Sequence, residues 1–516
     1  MLLSEIIPKV AQLQPDRAAM KDSAGTISYG QLMQRVSCSA QGFRSHAIKP
    51  GDRVALLGHP SPQLAIAECA AIAIGAIPFA VYPGLTRNEI IPILQDAAPA
   101  AIVYDSEDEH LTACASVLPD TLTISCRTIE RFIETHSPIV EWHQADPDDV
   151  ALLIYTGGTT GRSKGVMHSH RSIGSWSFMN PERVGGHNPD KRTLISNQAH
   201  LSGQFMLWTT LYEGGCLIYP ESYPLQAEAM IELIEREELK YIGTIGLQFK
   251  DIAQLLAVRG RSLPHVLGIS CGGAPISERT FHLARQAFPN AQLTNVYAQT
   301  ESGQFISPLF INACFAEGFH HRLLSVGNPA HVARWGQKPF QVRIVDEDGR
   351  DVGPDGIGEV ICRGDQLMLG YWNNPVETNK ALRGGWLYTG DIGTFDDDGY
   401  LYLLDRKKDI VIVGGSNVYC SEVEEVLARH QAIAEVAVVG APLPDDGEEV
   451  TAVVVLREGA GLTLADIKAF CRDHLASHKI PSRLDFAESL PRTSFGKLNK
   501  PEIRKPYWLG RPRMIH

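Results

Sequence analysis

The stretch Tyr155–Gly165 reads YTGGTTGRSKG, with four glycines, three threonines, one serine and one lysine between the apolar run VALLI and the segment VMHSHRSI. Glycines let a main chain approach an anion, N–H groups and hydroxyls donate to its oxygens, and a lysine neutralises its charge. The composition therefore suits a phosphate-binding loop. It does not follow the G-x-x-x-x-G-K-[ST] order of a Walker loop: Arg162 and Ser163 separate Gly161 from Lys164, and Gly165 follows the lysine. A glycine-rich surface loop without a ligand is the alternative that composition leaves open.

Such a loop needs a scaffold, and the surrounding sequence supplies one. Strand-length apolar runs alternate with helical segments through the first half: RVALLG (Arg53–Gly58), AAIVY (Ala100–Tyr104), CLIYP (Cys216–Pro220) and HVLGISCGG (His265–Gly273). Continuous apolar runs suit parallel strands buried on both faces. AEAMIELIEREELK (Ala227–Lys240) has the apolar spacing of a covering helix. From about Val326 the texture changes to short extended runs, QVRIVDEDG, GEVICRG and GYLYLLD, separated by D-G and G-x-G turns that suggest antiparallel hairpins. After DRKKD (Asp405–Asp409) an αββα alternation of domain size follows, so residues 1–404 and 405–516 are read as two domains.

Composition narrows the function. A chain of 516 residues exceeds one core. With 44% hydrophobic and 21% charged residues it reads as a soluble globular protein, and a net charge of −12 argues against nucleic acid as partner. The ten cysteines form no C-x-x-C pair, which excludes the usual zinc and thioredoxin spacings and suggests reduced thiols in the cytoplasm. The amino terminus, MLLSEIIPKVAQLQPDRAA, makes a poor signal peptide. CAAIAIGAIPFAVYP, from Cys69, follows Glu68 and is broken by Gly75 and Pro78. It falls short of the ~20 apolar residues of a membrane span and reads as a buried helix running into a strand.

The glycine-hydroxyl loop resembles the T-[SG]-G-[ST]-[TS]-G-x-P-K-G signature of the adenylate-forming superfamily of acyl-CoA synthetases, peptide-synthetase adenylation domains and luciferases. Gly158 fits its third position and Ser163 replaces the usual proline. Five further segments are similar to family motifs in family order: SCGGAPIS (Ser270–Ser277), VYAQTES (Val296–Ser302, with Ala298 for glycine), GGWLYTGDIG (Gly384–Gly393), the DRKKDIVIVGGSNVYCSEVEEVL segment, and PRTSFGKLNK (Pro491–Lys500). Together they cover about Ser28 to Lys500. The resemblance implies a mixed α/β fold: a large N-terminal domain of two doubly wound βα sheets plus a distorted β-barrel, and a small, mobile α+β domain at the C-terminus.

It also implies a reaction in two halves. A carboxylate attacks the α-phosphorus of ATP to give acyl-AMP and pyrophosphate; a nucleophile, usually a thiol such as that of coenzyme A, then takes the acyl group. By resemblance, Thr156, Gly157, Gly158, Thr159, Thr160, Gly161 and Lys164 wrap the outer phosphates, Thr300 contacts the α-phosphate, and Glu301 holds Mg²⁺. Tyr297 stacks on adenine opposite Gly272, Gly273 and Ala274. Asp391 and Arg406 reach the ribose, and Lys497 bridges carboxylate and α-phosphate. Lys408 corresponds to a hinge about which the small domain turns, carrying Lys497 away and bringing Gly414 and Gly415 to the thiol. His200, in NQAHLSGQF (Asn197–Phe205), would line the tunnel between acid and thiol.

Two departures lie near the acid. Asn197, Gln198 and Ala199 replace the P-x-x before the family histidine, and TIGLQF (Thr244–Phe249) lacks the usual V-P-P. Gly246, Leu247, Gly272, Gly303 and Gln304 are candidate pocket residues, and no well-placed aspartate is evident to pair a substrate ammonium. The expected substrate is a monocarboxylic acid with an apolar body, either a medium or branched aliphatic chain or an aryl ring. Alternatives are transfer to a separate carrier protein's phosphopantetheine or to an amine, a silent acyl or nucleotide sensor, and an O₂-dependent light emitter. The chain is expected as a monomer or homodimer.

Overall fold

The structure is a computed structural model that describes residues 1–156, 163–178, 191–223, 225–273, 276–335, 338, 340–353, 356–413, 416–443, 448–472, 474–493 and 497–509, with Leu247 described in its backbone only. The chain packs as two compact units: Met1–Val342 with Cys362–Leu387, and Arg343–Ile361 with Tyr388–His516.

The first unit is built on two parallel sheets. The larger has eight strands in the order Gly303–Phe310, Gln292–Gln299, Gly268–Gly272, Tyr241–Ile245, Arg192–Leu194, Cys216–Ile218, Ala18–Asp22 and Gly25–Ser28. The six inner strands run parallel, and the two edge strands are antiparallel to their neighbours. The smaller is wholly parallel: Ile77–Val81, Arg53–Leu57, Ala101–Tyr104 and Leu122–Ser125. Pro78 is tolerated because Ile77–Val81 is an edge strand and Pro78 has no amide to leave unpaired. An antiparallel ribbon of Gly370–Tyr371, Lys164–Ser169 and Val150–Thr156 completes the strands of this unit that bear on the site.

Helix Pro62–Ala73 shows how the apolar window of the sequence is used. Ser61 caps it by accepting from the Leu64 amide at 3.3 Å, and Pro62 occupies the first turn, where its missing N–H costs nothing. Every helical residue except Gln63 is buried, so the helix needs no polar face. It packs between helix Tyr29–Ser45 and strand Arg53–Leu57, and Ile77–Val81 follows, as the sequence leads one to expect. Covering helix Ala227–Arg236 ends four residues before the expected Lys240.

In the second unit, strand Ile433–Pro442 pairs antiparallel with Glu448–Leu456, which pairs parallel with Arg483–Phe486. Helices Cys420–Leu427 and Leu464–Cys471 cover this sheet with a core of valines, leucines and isoleucines. The unit takes in more chain than the C-terminal module read from the sequence. Strand Leu401–Arg406 is tied to the start of helix Cys420–Leu427: the Ser421 hydroxyl donates to the Leu404 carbonyl and the Ser421 amide to Asp405 Oδ2.

All ten cysteines are free, nine of them buried, and burial raises Cys216, Cys126 and Cys271 to about 11, about 12 and about 12. They are packing residues rather than nucleophiles. Among the described residues, no helix is long and apolar enough to cross a membrane.

Candidate functional site

In open parallel sheets, ligands sit beyond the carboxyl ends of the strands. Three adjacent strands of the larger sheet end in residues singled out by sequence. Tyr241–Ile245 runs into Gly246, Gly268–Gly272 into Gly273, and Gln292–Gln299 into the Thr300–Ser302 turn. Tyr297 is 8% exposed and lies opposite Ser307. A Cβ at Gly272 would come within 2.5 Å of the Val296 carbonyl oxygen, so the space left by this glycine is filled by the neighbouring strand.

The Thr300–Glu301 turn is held from three sides. His168 Nε2 donates to the Thr300 carbonyl at 2.8 Å, the Met368 amide donates to the Glu301 carbonyl at 3.0 Å, and the Tyr371 hydroxyl donates to Glu301 Oε1 at 2.9 Å. Burial depresses His168 to about 4, so the ring is neutral, with its proton on Nε2 and with Nδ1 accepting from the Ser172 hydroxyl at 3.1 Å. Burial first, and then Glu301, raises the Tyr371 phenol, which keeps it a donor.

Lys164 stands at the head of strand Lys164–Ser169, opposite Thr156 in register. Its Nζ lies 4.8 Å from the centre of the Tyr371 ring and 2.5 Å from Glu377 Oε2. The hydrogen bond from Lys164, followed by that from Lys380, lowers the Glu377 carboxyl to about 2. One tyrosine thus touches Lys164 with its ring and Glu301 with its hydroxyl. Gly157, Gly158, Thr159, Thr160, Gly161 and Ala274 lie outside the described residues.

His200 directly precedes helix Leu201–Tyr212 at its N-cap position, with its ring 6.1 Å from that of Tyr82. The preceding turn is tied down from below. Gln198 Nε2 donates to Glu68 Oε2 at 2.8 Å, Gln204 Nε2 to the same oxygen at 3.3 Å and to the Gln198 carbonyl at 2.8 Å, and Trp208 to Gln204 Oε1 at 3.1 Å. Glu68 is 1% exposed, and burial raises its carboxyl to about 7, opposed by hydrogen bonds from Gln204, Gln198 and Trp208. Gly203 is required here because a Cβ would overlap the Asn197 carbonyl. Among the other pocket candidates, a Cβ at Gly303 would meet the Trp176 ring at 2.8 Å, so that glycine too is used in packing.

In the second unit, Asp391 and Arg406 face each other across a hairpin, Arg406 Nε 2.5 Å from Asp391 Oδ1. Asp391 is 4% exposed, and its amide donates to the Thr389 hydroxyl at 3.1 Å. Lys408 lies in the single turn Lys407–Asp409 between two strands. Burial lowers its amine, and its carbonyl accepts from Arg504 at 3.3 Å. Lys497 is exposed, and its carbonyl accepts from the Thr493 amide at 2.7 Å. Lys500, three residues on, is instead a structural lysine, 2.9 Å from Glu424. Gly414 and Gly415 lie outside the described residues.

His168, Tyr371 and Glu377 are absent from the sequence reading, and Glu68 enters it only as the residue before an apolar window. The signals available were VMHSH directly after the glycine loop, GYWNNPVET between GEVICRG and GYLYLLD, and one carboxylate inside an otherwise apolar helix.

The fold is that of a mixed α/β protein whose candidate residues gather at the carboxyl edge of its main sheet. Residues 7–372 match the family model of AMP-binding enzymes, and residues 422–497 that of the AMP-binding enzyme C-terminal domain. The chain is 28% identical over 508 residues to a feruloyl-CoA synthase of Amycolatopsis sp, covering 96% of this chain and 97% of the relative. It is 30% identical over 502 residues to a 2-succinylbenzoate–CoA ligase of Geobacillus sp. (strain WCH70), covering 96% of each. Its structure is similar to that of the o-succinylbenzoate coenzyme A synthetase of Bacillus subtilis in complex with ATP and magnesium ion, with a TM-score of 0.82, 26% identity, and coverage of 96% of this chain and 98% of that one. The chain belongs to the AMP-binding enzyme family, as a ligase of the adenylate-forming class.

Proposed function

We propose that the protein is an AMP-forming carboxylic acid–coenzyme A ligase acting on a monocarboxylic acid with an apolar, most simply aryl, body. The observation that carries this reading is the pinned Thr300–Glu301 turn with Lys164 beside it. A cation and a carboxylate share one tyrosine there, at the edge where a triphosphate and its metal would lie.

In the first half, the acid's carboxylate oxygen bonds to the α-phosphorus of ATP and pyrophosphate leaves. Both reactants are anionic, so the protein's tasks are alignment and charge neutralisation. Thr156 and Lys164, with the loop residues between them, hold the outer phosphates. Lys164 must exchange the Glu377 carboxylate for a phosphate oxygen to do so. Thr300 donates to the α-phosphate, Tyr297 packs on adenine beside Gly272, Gly273 and Ala274, and Asp391 with Arg406 takes the ribose hydroxyls. Lys497 meets the incoming carboxylate and the α-phosphate with a compact positive charge.

Glu301 suits a hard cation, since Tyr371 engages Oε1 and Oε2 has no hydrogen bond among the described residues. Mg²⁺ takes one or two carboxylates plus phosphate oxygens, and bound there it would supply neutralisation of the phosphate charge.

In the second half, the thiol sulfur bonds to the acyl carbon, AMP leaves and the thiol proton is released. For this step residues 405–516 turn about Lys408, withdrawing Lys497 and presenting Gly414 and Gly415 to the pantetheine arm. His200 borders the path between acid and thiol. The feruloyl-CoA and 2-succinylbenzoate–CoA relatives support an aryl acid and a coenzyme A acceptor.

The test is product analysis by mass with a panel of aryl and aliphatic acids, ATP and magnesium, supplying coenzyme A, a holo-carrier protein or an amine in separate reactions. Acyl-CoA and AMP in equal amounts, with an aryl acid preferred, are expected. Product only with the carrier or the amine would replace coenzyme A as acceptor, and AMP formation with no acid would overturn the proposal.

A further inference from the structure

The geometry points to a binding site for a zinc-class divalent cation formed by Glu278, His282 and His320, none of which is among the residues proposed for ATP and magnesium. Helix Glu278–Ala287 begins directly after the Ser270–Ser277 stretch, and the Ser277 hydroxyl caps it by accepting from the Thr280 amide at 3.3 Å. Glu278 and His282 are four residues apart on this helix and so share a face. His320 opens the short helix His320–Leu324 and reaches the same place.

Glu278 Oε1 lies 3.0 Å from His320 Nδ1 and 3.5 Å from His282 Nε2, and one donor atom from each residue falls within 4.8 Å of the others. Ligands about 2.0–2.2 Å from a tetrahedral zinc ion stand roughly 3.4 Å apart, so two of the three edges already have about the required length. The third closes with small side-chain rotations.

The rings are held by packing. Phe315 meets His282 edge-on at 4.7 Å and His320 edge-on at 5.2 Å, and the Arg285 guanidinium covers the Phe315 ring at 4.3 Å. Phe315 is thus a shared wall that orients both imidazoles. All three ligands are about half exposed, at 48–50%, so an ion can reach them and keep a water in its fourth position. Two imidazoles and one carboxylate select zinc and its neighbours over magnesium, whose preferred ligands are oxygens. The bound ion would clamp the first turn of helix Glu278–Ala287, and with it the end of the glycine-bearing stretch, to His320–Leu324.

The experiment is equilibrium dialysis of the full-length, metal-free protein against Zn²⁺ alone, repeated with Co²⁺ and read by visible absorption. One ion per chain is expected, with cobalt d–d bands and no thiolate charge-transfer band. His282→Ala, His320→Gln and Glu278→Gln are each expected to weaken zinc at least about 10-fold, while melting like the wild type without metal. Unchanged affinity in the three variants, a thiolate band, or no bound ion in the wild type would overturn the site. If a variant's metal-free melting point falls, the other two and the cobalt spectrum of the wild type still decide.

Discussion

The Thr300–Glu301 turn of the first unit and Lys497 of the second differ in exposure, the turn being half-buried and the lysine open to solvent. Around Thr300 and Glu301 the constraints come from far along the chain and are buried or half-buried: a neutral histidine, a main-chain amide and a tyrosine, each fixing one atom. Lys497 is exposed, with its carbonyl accepting from the Thr493 amide, and the half-buried lysine nearby, Lys500, pairs with Glu424. Sites that bind charge need preorganised groups, whereas a group that must serve one step and leave the next suits a tether on a mobile element. The contrast is compatible with the proposal that the first unit holds the nucleotide and that Lys497 serves the first half-reaction only.

Breaking the Lys497 side should give the largest effect. Lys497→Ala is expected to slow acyl-adenylate formation by about 10³-fold, the scale of removing one transition-state charge contact. Thioester formation from supplied acyl-adenylate should stay within about 3-fold of wild type, measured by rapid quench of each half-reaction. Equal loss in both halves would place Lys497 on the platform instead.

The platform side is sharpened through Glu68, which ties the His200 turn to the core helix. Its carboxyl stands at about 7 against an ordinary 4.5, so the folded state holds this proton more tightly than the unfolded chain. The resulting stability is full below about pH 4.5, declines as pH rises, and is gone above about pH 7. The displacement corresponds to about 3 kcal/mol. In Glu68→Gln, denaturant titrations across that range should lack this decline; an unchanged pH profile would remove Glu68 as its source.

The smallest effect concerns Glu377. If Lys164 exchanges this carboxylate for a phosphate, Glu377→Gln removes a competitor, and the KM for ATP should fall by about 2- to 5-fold, a gain comparable to one partly exposed ion pair. A rise of similar size in steady-state kinetics would make Glu377 a positioning partner of Lys164 instead.

The scaffold was legible where its cause is local. RVALLG, AAIVY, CLIYP and HVLGISCGG became strands because parallel strands buried on both faces leave continuous apolar runs, and CAAIAIGAIPFAVYP became helix then strand at Gly75. The site was legible as motifs, but not as a machine. His168 reaches Thr300 across 132 residues, Tyr371 reaches Glu301 across 70, and Lys164 reaches Glu377 across 213. Pairings of that length leave no periodicity and no local spacing. Glu68 was visible only as the charge before an apolar window, because its partners Gln198 and Gln204 lie 130 and 136 residues further along the chain. Gly272 and Gly303 looked like space for a substrate, since composition cannot tell room left for a ligand from room taken by a neighbour.

The most direct measurement is carboxylate-dependent exchange of labelled pyrophosphate into ATP by the purified chain with magnesium and no acceptor present. The account predicts exchange that requires both acid and magnesium and falls by at least about 10²-fold in Glu301→Gln, whose fold is otherwise preserved. Exchange that persists without any acid, or at the wild-type rate in Glu301→Gln, would contradict it.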